Sequence, residues 1–180
     1  VEDIDMVRMS ASASKRAFVV ETMGRTCGFL PLVGGVAGGA EKAYLPETGI
    51  TLEQLNRDIP ALVDAFNSGR SFYLTVMGEG ASEHYTCEMI MRMFEAEGKG
   101  RYTVRQMVIG HAQQGGIPTP FDRINATRLA SQAVAYLDDQ LERGNAEYAA
   151  ASSNGHTLRA PLSHVLEDMD WDNQRPRNQW

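Results

Sequence analysis

The 180-residue sequence has little cysteine, no excess of positive charge and no long hydrophobic run. Its two cysteines, Cys27 and Cys87, are isolated and lack metal-ligand spacing, so we predict no metal site and a reducing, cytoplasmic setting. The net charge of −6 argues against a nucleic-acid-binding protein, because no basic surface dominates. No apolar stretch approaches the length of a membrane span, which argues against a membrane protein.

The composition is that of a globular protein, with 43% hydrophobic and 22% charged residues. At this length the chain can bury a core and forms one domain or most of one. Val1 is not a start methionine and lies in a helical pattern, and the ring of Trp180 has no chain after it to cover it. We therefore expect the sequence to be a fragment.

Short apolar runs alternate with helical patterns along the chain. Strands are predicted at residues 17–21, 42–46, 72–77 and 104–109, and helices at residues 1–9, 29–40, 51–67, 85–97 and 122–143. This alternation predicts an α/β fold with a mainly parallel sheet flanked by helices. We expect one α/β lobe over residues 1–143 and a weakly ordered segment over residues 144–180.

Two features inside these helices need a separate interpretation. The glycine pairs at 34–35 and 38–39 lack the strand, glycine-loop and helix order of a nucleotide site, so we assign them to close helix packing. In the last helix, apolar residues recur at helical spacing and predict one apolar face, formed by Ile124, Leu129, Ala133, Val134, Leu137 and Leu141.

A long loop follows the last predicted strand and has the sequence GHAQQGGIPTPFDR over residues 110–123. Gly115 and Gly116 permit positive φ and the close approach of a ligand to the backbone. His111, Gln113 and Gln114 place polar groups at the carboxyl end of a strand, where open α/β sheets usually bind ligands. We interpret the segment as a ligand-binding loop. An ordinary strand-to-helix connection is the alternative.

Two other strand ends also carry residues suited to a phosphorylated sugar or polyol. Residues 23–25 (MGR) and 78–80 (GEG) follow the first and third predicted strands, and Arg16 and Arg105 lie near strand starts. Arginine forks bind phosphate in a bidentate manner, and a carboxylate such as Glu79 accepts from hydroxyls. The alternatives remain open: solvated charges for the two arginines, a turn residue for Glu79 and a loop histidine for His111.

Two long motifs in the chain closely resemble the ATP-dependent 6-phosphofructokinase family. They are residues 18–29 (FVVETMGRTCGF) and residues 110–123, and residues 95–100 (EAEGKG) are also similar to that family. The resemblance covers about residues 10–140 and continues weakly over residues 175–180, as the approach to a missing terminal helix. It implies a three-layer fold and a glycolytic enzyme that phosphorylates fructose 6-phosphate with ATP and Mg²⁺. It also implies a homo- or hetero-oligomer of phosphofructokinase subunits.

The resemblance also implies the residues of a sugar-phosphate site. By this carry-over the phosphate is bound by Arg16 and Arg105, which reach across a subunit boundary, and by His111 and Gln114 on its other side. Glu79 takes sugar hydroxyls. The pocket is lined by Met23, Gly24 and Arg25.

Two residues of the site imply different ligands. Catalytic loops of the family have arginine at the position of Gln114. The glutamine form is similar to the C-terminal, regulatory half of the eukaryotic chain, which binds the allosteric effector fructose 2,6-bisphosphate. Arg25 is instead similar to the catalytic form, which implies the substrate fructose 6-phosphate. Both interpretations remain open from the sequence.

The family's nucleotide-binding loop and its catalytic aspartate, in a Thr-Ile-Asp motif, do not occur in the 180 residues. Phosphoryl transfer needs bound Mg²⁺ and a positioned base. We therefore expect this chain to carry no catalytic residue and no metal ligand, to bind neither ATP nor Mg²⁺, and to be inactive when isolated.

Overall fold

The computed structural model describes residues 1–11, 14–144, 148–153 and 156–177. In chain order the elements are α1 (Glu2–Ala11), β1 (Arg16–Thr22), α2 (Phe29–Gly38), β2 (Lys42–Tyr44), α3 (Leu52–Asn67), β3 (Phe72–Gly78), α4 (Cys87–Gly98), β4 (Thr103–Val108), a 3₁₀ turn (Gly110–Gln114), α5 (Pro120–Arg143), β5 (Tyr148–Ser153), β6 (His156–Pro161), α6 (Leu162–Glu167), β7 (Met169–Asp170) and β8 (Arg175–Pro176). The chain divides into two compact units, Val1–Gly115 and Gly116–Trp180. Helix α5 therefore groups with the second unit, whereas the sequence-based division placed it in a lobe ending at residue 143.

The first unit contains a four-stranded sheet in the order β2-β3-β1-β4, with every neighbouring pair parallel. The central strand β1 pairs with β3 on one side and β4 on the other, so that Arg16 lies opposite both Phe72 and Thr103. The prediction of a mainly parallel α/β sheet flanked by helices is confirmed. All three carboxyl ends of β1, β3 and β4 lie at one edge of the sheet, which positions the loops that follow them together.

Strands β1 and β3 are buried on both faces, which explains why they are apolar runs, whereas in β4 only Val104 is buried. On one face, side chains of the sheet pack against α3 and α4. This core contains Val19, Tyr44, Leu55, Leu62, Phe66, Tyr73, Ile90, Phe94 and Val104. On the other face, α1 contributes Ile4 to a smaller core that also contains Ala11, Phe18, Val20, Leu74 and Val76. Helices therefore cover the sheet on two sides, giving the three layers expected.

Among the described helices, α3 and α5 begin with a reciprocal capping box, and α4 begins at the side-chain cap Thr86. Thr51 accepts a hydrogen bond from the Gln54 N–H (3.2 Å) and the Gln54 side chain accepts from the Thr51 N–H (2.8 Å), as the sequence predicts. Helix α5 begins earlier than predicted, at Pro120 rather than Asp122, because Thr119 is its N-cap and bonds reciprocally with Asp122. Proline is well suited to the first helical position, since no intrahelical partner is available for an N–H there.

One glycine of α2, Gly38, serves close helix packing as predicted for the glycine pairs, whereas Gly34 does not. A Cβ atom on Gly38 would lie 2.6 Å from Ile4 Cγ2, so only glycine lets α1 approach this closely. The guanidinium of Arg8 in α1 also donates to the Gly38 carbonyl. At Gly34, on another side of the same helix, a Cβ would meet no atom within 4 Å.

We predict opposite stability effects for two alanine substitutions in α2. Gly38→Ala should lower the free energy of unfolding by about 1–3 kcal/mol, because the added methyl overpacks the contact with Ile4. Gly34→Ala is the matched control and should raise it by roughly 0.5–1 kcal/mol, through helix propensity alone. Urea unfolding of both variants measures the difference. Equal stabilisation by both would contradict the packing role of Gly38.

In the second unit, no side chain is buried over residues 116–144 and 161–177. The predicted apolar face of α5 is largely exposed, with Val134 and Leu141 at 68% and 69% of their full accessibility. Helical spacing predicts which residues of a helix share a face. It cannot say whether another element covers that face.

The segment over residues 144–180 contains regular backbone structure where it is described. β5 and β6 pair in antiparallel fashion, α6 follows directly, and β7 pairs with β8. Residues 145–147, 154–155 and 178–180 lie outside the described residues, as does the final part of the predicted approach to a terminal helix.

Candidate functional site

A pocket of about 610 Å³ lies in the first unit at the carboxyl ends of β1, β3 and β4. Its lining includes six of the eight predicted site residues, namely Met23, Gly24, Arg25, Glu79, His111 and Gln114, together with Leu30 and Gln113. Residues from three separate strand ends therefore meet at one place. This is the edge of an open parallel sheet at which ligands generally bind.

The loop after β1, residues 23–25 (the Met23–Arg25 loop), is held by side chains of its two neighbours. The Met23 N–H donates to Gln113 Oε1 at 3.0 Å. The N–H groups of Gly24 and Arg25 both donate to Glu79 Oε1, at 3.1 Å and 2.8 Å. Three consecutive backbone donors are thus satisfied by side chains that follow β3 and β4.

The Met23–Arg25 loop has an unusual backbone. Gly24 has φ +148° and Arg25 has φ +49°, a region that L-residues with a side chain seldom adopt. The turn after β3 also approaches the loop very closely, because a Cβ on Gly80 would lie 1.9 Å from the Arg25 carbonyl oxygen. Glycine is therefore required at position 80 for the two loops to touch.

Two carboxylates, Glu79 of the pocket lining and Glu21 of β1, interact with each other. Glu79 is exposed, and its Oε1 is used by the Met23–Arg25 loop. Burial raises the pKa of Glu21, near the end of β1, above its usual value, and the negative charge of Glu79 adds to that shift. Burial, with a further contribution from Glu21, raises the pKa of the Cys87 thiol to about 12, so this cysteine is an inert core residue rather than a nucleophile.

The loop after β4 forms a 3₁₀ turn over Gly110–Gln114 that leaves His111 and Gln114 exposed at the pocket. Of the two glycines expected to permit positive φ, Gly116 has φ +131° and Gly115 has φ −83°. Positive φ occurs instead at Gly110, with φ +55°, where the chain leaves the strand.

Arg16 and Arg105 are not among the lining residues of this pocket: Arg16 begins β1, and Arg105 is the third of the six residues of β4. Strand geometry puts Arg16 about 20 Å from the carboxyl end of its own strand. The two arginines are close to each other, because Arg16 pairs with Thr103 and Arg105 is two residues further along β4. Residues two apart share a face of a sheet, so both project from the face that α1 covers, about 8 Å apart.

Sequence reasoning missed two lining residues, Leu30 and Gln113. Gln113 was recognised as a polar residue of the loop but was not assigned to the site, since its partner Met23 lies 90 positions away in the chain. Leu30 was taken as part of a buried helix but is 46% exposed and faces the pocket. No local pattern distinguishes either residue.

Among the lining residues, Arg25 is the one that carries a permanent positive charge, and Glu79 carries a negative one. Hydrogen-bond donors are available from Arg25, His111 and the side-chain amide of Gln114. Within the described ranges, no group of His, Cys, Asp and Glu side chains could hold a metal ion. No helix in those ranges is long and apolar enough to cross a membrane.

Comparison with known proteins shows that the chain is similar to phosphofructokinases. The family model described as phosphofructokinase matches residues 1–137. The ATP-dependent 6-phosphofructokinase of Dictyostelium discoideum is 36% identical over 183 residues, covering 100% of this chain and 22% of that protein.

Solved structures of phosphofructokinases have a fold similar to that of this chain. The phosphofructokinase from Saccharomyces cerevisiae has a TM-score of 0.89 at 26% identity, covering 97% of this chain and 24% of that one. The phosphofructokinase of Pichia pastoris in the T-state has a TM-score of 0.88 at 30% identity, covering 97% and 22%. The chain therefore spans less than a quarter of the length of these three relatives.

Proposed function

The chain belongs to the phosphofructokinase family, and from this premise we propose that it is a sugar-phosphate-binding part of a longer ATP-dependent 6-phosphofructokinase subunit. The whole protein would transfer a phosphoryl group from ATP, with Mg²⁺, to fructose 6-phosphate in cytoplasmic glycolysis. Within the 180 residues, the proposed role is binding, since the sequence has neither a nucleotide-binding loop nor a candidate general base for phosphoryl transfer.

The observation that carries the proposal is the convergence of Arg25, His111, Gln114 and Glu79 around one pocket. A volume of about 610 Å³ is in the usual range for a small-molecule site. Arg25, His111 and Gln114 supply donors suited to a phosphate. Because Glu79 Oε1 is already used by the Met23–Arg25 loop, we assign its other oxygen, Oε2, to the sugar hydroxyls.

Two ligands fit this set of residues, and we favour the effector. Gln114 in place of an arginine supports a regulatory site for fructose 2,6-bisphosphate. The alternative is a substrate site for fructose 6-phosphate, and Arg25 supports it. In both cases Arg16 and Arg105 of one subunit would bind a phosphate at the pocket of a neighbouring subunit, in a homo- or hetero-oligomer.

Arg25→Ala in the full-length protein that contains this chain tests the proposal. For a regulatory site, activation by fructose 2,6-bisphosphate should be lost while kcat at saturating fructose 6-phosphate is kept. The matched control is Arg92→Ala, which removes the same charge from the outer face of α4, where Arg92 pairs with Glu88. Loss of turnover in Arg25→Ala would favour the substrate site, and unchanged activation and turnover would contradict both assignments.

We also predict that Gln114→Arg shifts the ligand preference of this pocket towards sugars with one phosphate. An added guanidinium fork matches a single phosphate and should improve the affinity ratio of fructose 6-phosphate to fructose 2,6-bisphosphate by roughly tenfold or more. Isothermal titration with each sugar measures the ratio. Gln114→Lys adds the same charge without the fork and should shift it less. An unchanged ratio in Gln114→Arg would count against the assignment.

A further inference from the structure

Gln113 joins two pocket loops that are far apart in the sequence. Its side-chain oxygen accepts the Met23 N–H at 3.0 Å, and the residue is half-buried between the loops. The orientation of the amide is determined by chemistry, because a backbone N–H can only be accepted by the oxygen. The amide nitrogen is therefore directed to other neighbours.

The hydrogen bond that Gln113 accepts is one of three made by the backbone of the Met23–Arg25 loop. Together they occupy the N–H groups of all three residues of the loop. Glu79 Oε1 accepts the next two N–H groups, from Gly24 and Arg25. The loop is held from both sides, by the residues after β4 and by those after β3. Its backbone N–H groups are consequently not available to an anion, and the Arg25 side chain is the group of this loop that can bind one.

The constraint acts on a backbone that would otherwise relax. Gly24 and Arg25 have φ angles of +148° and +49°, and a residue with a side chain seldom adopts the second value without support from its surroundings. The direction of the Arg25 side chain depends on this backbone. A side chain that fixes the start of the loop therefore controls where the guanidinium lies.

We propose that Gln113 is a positioning residue: its hydrogen bond to the Met23 N–H holds the Met23–Arg25 loop so that Arg25 can bind the phosphate of the pocket's ligand. The identity of the ligand rests on the proposed function, whereas the effect on the loop does not. Gln113 acts through Arg25 and need not touch the ligand.

Amide hydrogen exchange in the full-length, ligand-free protein tests the first step. Gln113→Met keeps the length of the side chain but has no comparable acceptor, so exchange in a peptide spanning residues 22–28 should become roughly tenfold faster. Gln113→Glu keeps an oxygen that can accept the Met23 N–H and should restore slow exchange. Gln114→Met is the neighbouring control and should leave this peptide unchanged. Unchanged exchange in Gln113→Met would overturn the proposal.

Ligand binding tests the second step, through a double-mutant cycle with Arg25→Ala. Gln113→Met should weaken binding of fructose 2,6-bisphosphate roughly tenfold when Arg25 is present and less than about twofold when it is absent. Equal losses in both backgrounds would mean that Gln113 binds the ligand directly, and would overturn the positioning role. If the unsubstituted protein binds no sugar phosphate, the proposed function fails, and the exchange result alone decides the role of Gln113 in the loop.

Discussion

Gly80→Ala is expected to weaken sugar-phosphate binding strongly while leaving the core of the first unit intact. The added Cβ would lie 1.9 Å from the Arg25 carbonyl oxygen, which is a backbone atom and cannot turn aside as a side chain can. The Met23–Arg25 loop must therefore move away from the turn after β3. Overpacking of this kind costs about 1–3 kcal/mol, so affinity should fall roughly 5- to 150-fold if binding requires the original loop position.

Gly115→Ala provides the control for this substitution. Gly115 has φ −83°, which alanine adopts readily, and its Cβ would lie 3.4 Å from the Ala112 carbonyl oxygen, so the neighbouring loop needs little adjustment. Titration of both variants with fructose 2,6-bisphosphate gives the comparison. An affinity for Gly80→Ala equal to that of Gly115→Ala would mean that the position of the Met23–Arg25 loop does not matter for the ligand.

The sheet and its helices were predictable because their signals are local. Strand β1 is recognisable from the run Phe18-Val19-Val20, whose side chains enter the cores on alternate faces. The start of α3 follows from the reciprocal pair Thr51 and Gln54. In both cases the residues that determine the element lie within a few positions of one another. A short stretch of sequence is therefore enough to predict it.

The site was predictable as a set of strand ends but not as a network of contacts. A parallel sheet brings the ends of its strands to one edge, and this principle is enough to gather Arg25, Glu79 and His111. It does not say that Glu79 accepts two N–H groups of the Met23–Arg25 loop, or that Gln113 accepts a third. These bonds join residues more than 50 positions apart and depend on loop conformations, such as the positive φ of Arg25, that no residue type specifies.

The exposure of the α5 side chains could not be predicted from the sequence, for a different reason. Periodicity identifies the apolar stripe of a helix from the sequence of that helix alone. Burial depends on a second surface, and no described residue buries Val134 or Leu141. The same limit applies to Arg16 and Arg105, because a charge near a strand start can be a solvated side chain or a ligand for something outside the chain.

The geometry of Arg16 and Arg105 favours the second possibility and leads to a prediction. Both project from the same face of neighbouring strands, and the polar contacts of their guanidinium groups are with backbone carbonyls, of Ser10 (3.3 Å) and Val104 (3.0 Å). Their positive charge is therefore not neutralised by these contacts. The pocket at the other end of the sheet has one arginine, Arg25, among its lining residues, which is little charge for a bisphosphate.

Arg105→Ala should abolish most of the response of the full-length protein to fructose 2,6-bisphosphate. Removal of a charged partner from a buried pair costs on the order of 2–5 kcal/mol, which corresponds to a loss of affinity of roughly 30-fold to several thousand-fold. Stability should change little, because the side chain is exposed and supports no core. If the phosphate is shared between subunits, the ligand should also promote assembly of the unsubstituted protein by mass action, and the variant should lose this effect.

Effector titration combined with sedimentation of the same samples measures both consequences of Arg105→Ala. Arg92→Ala serves again as the control, since it removes one positive charge from an exposed helix and should keep the affinity and the ligand-dependent assembly. An Arg105→Ala protein that binds and assembles like the control would show that Arg105 is a solvated surface charge. Loss of affinity without loss of ligand-dependent assembly would instead mean that Arg105 binds the phosphate within its own subunit. In that case the Arg105 side chain would have to span the three strand positions, about 10 Å, that separate it from the carboxyl end of β4.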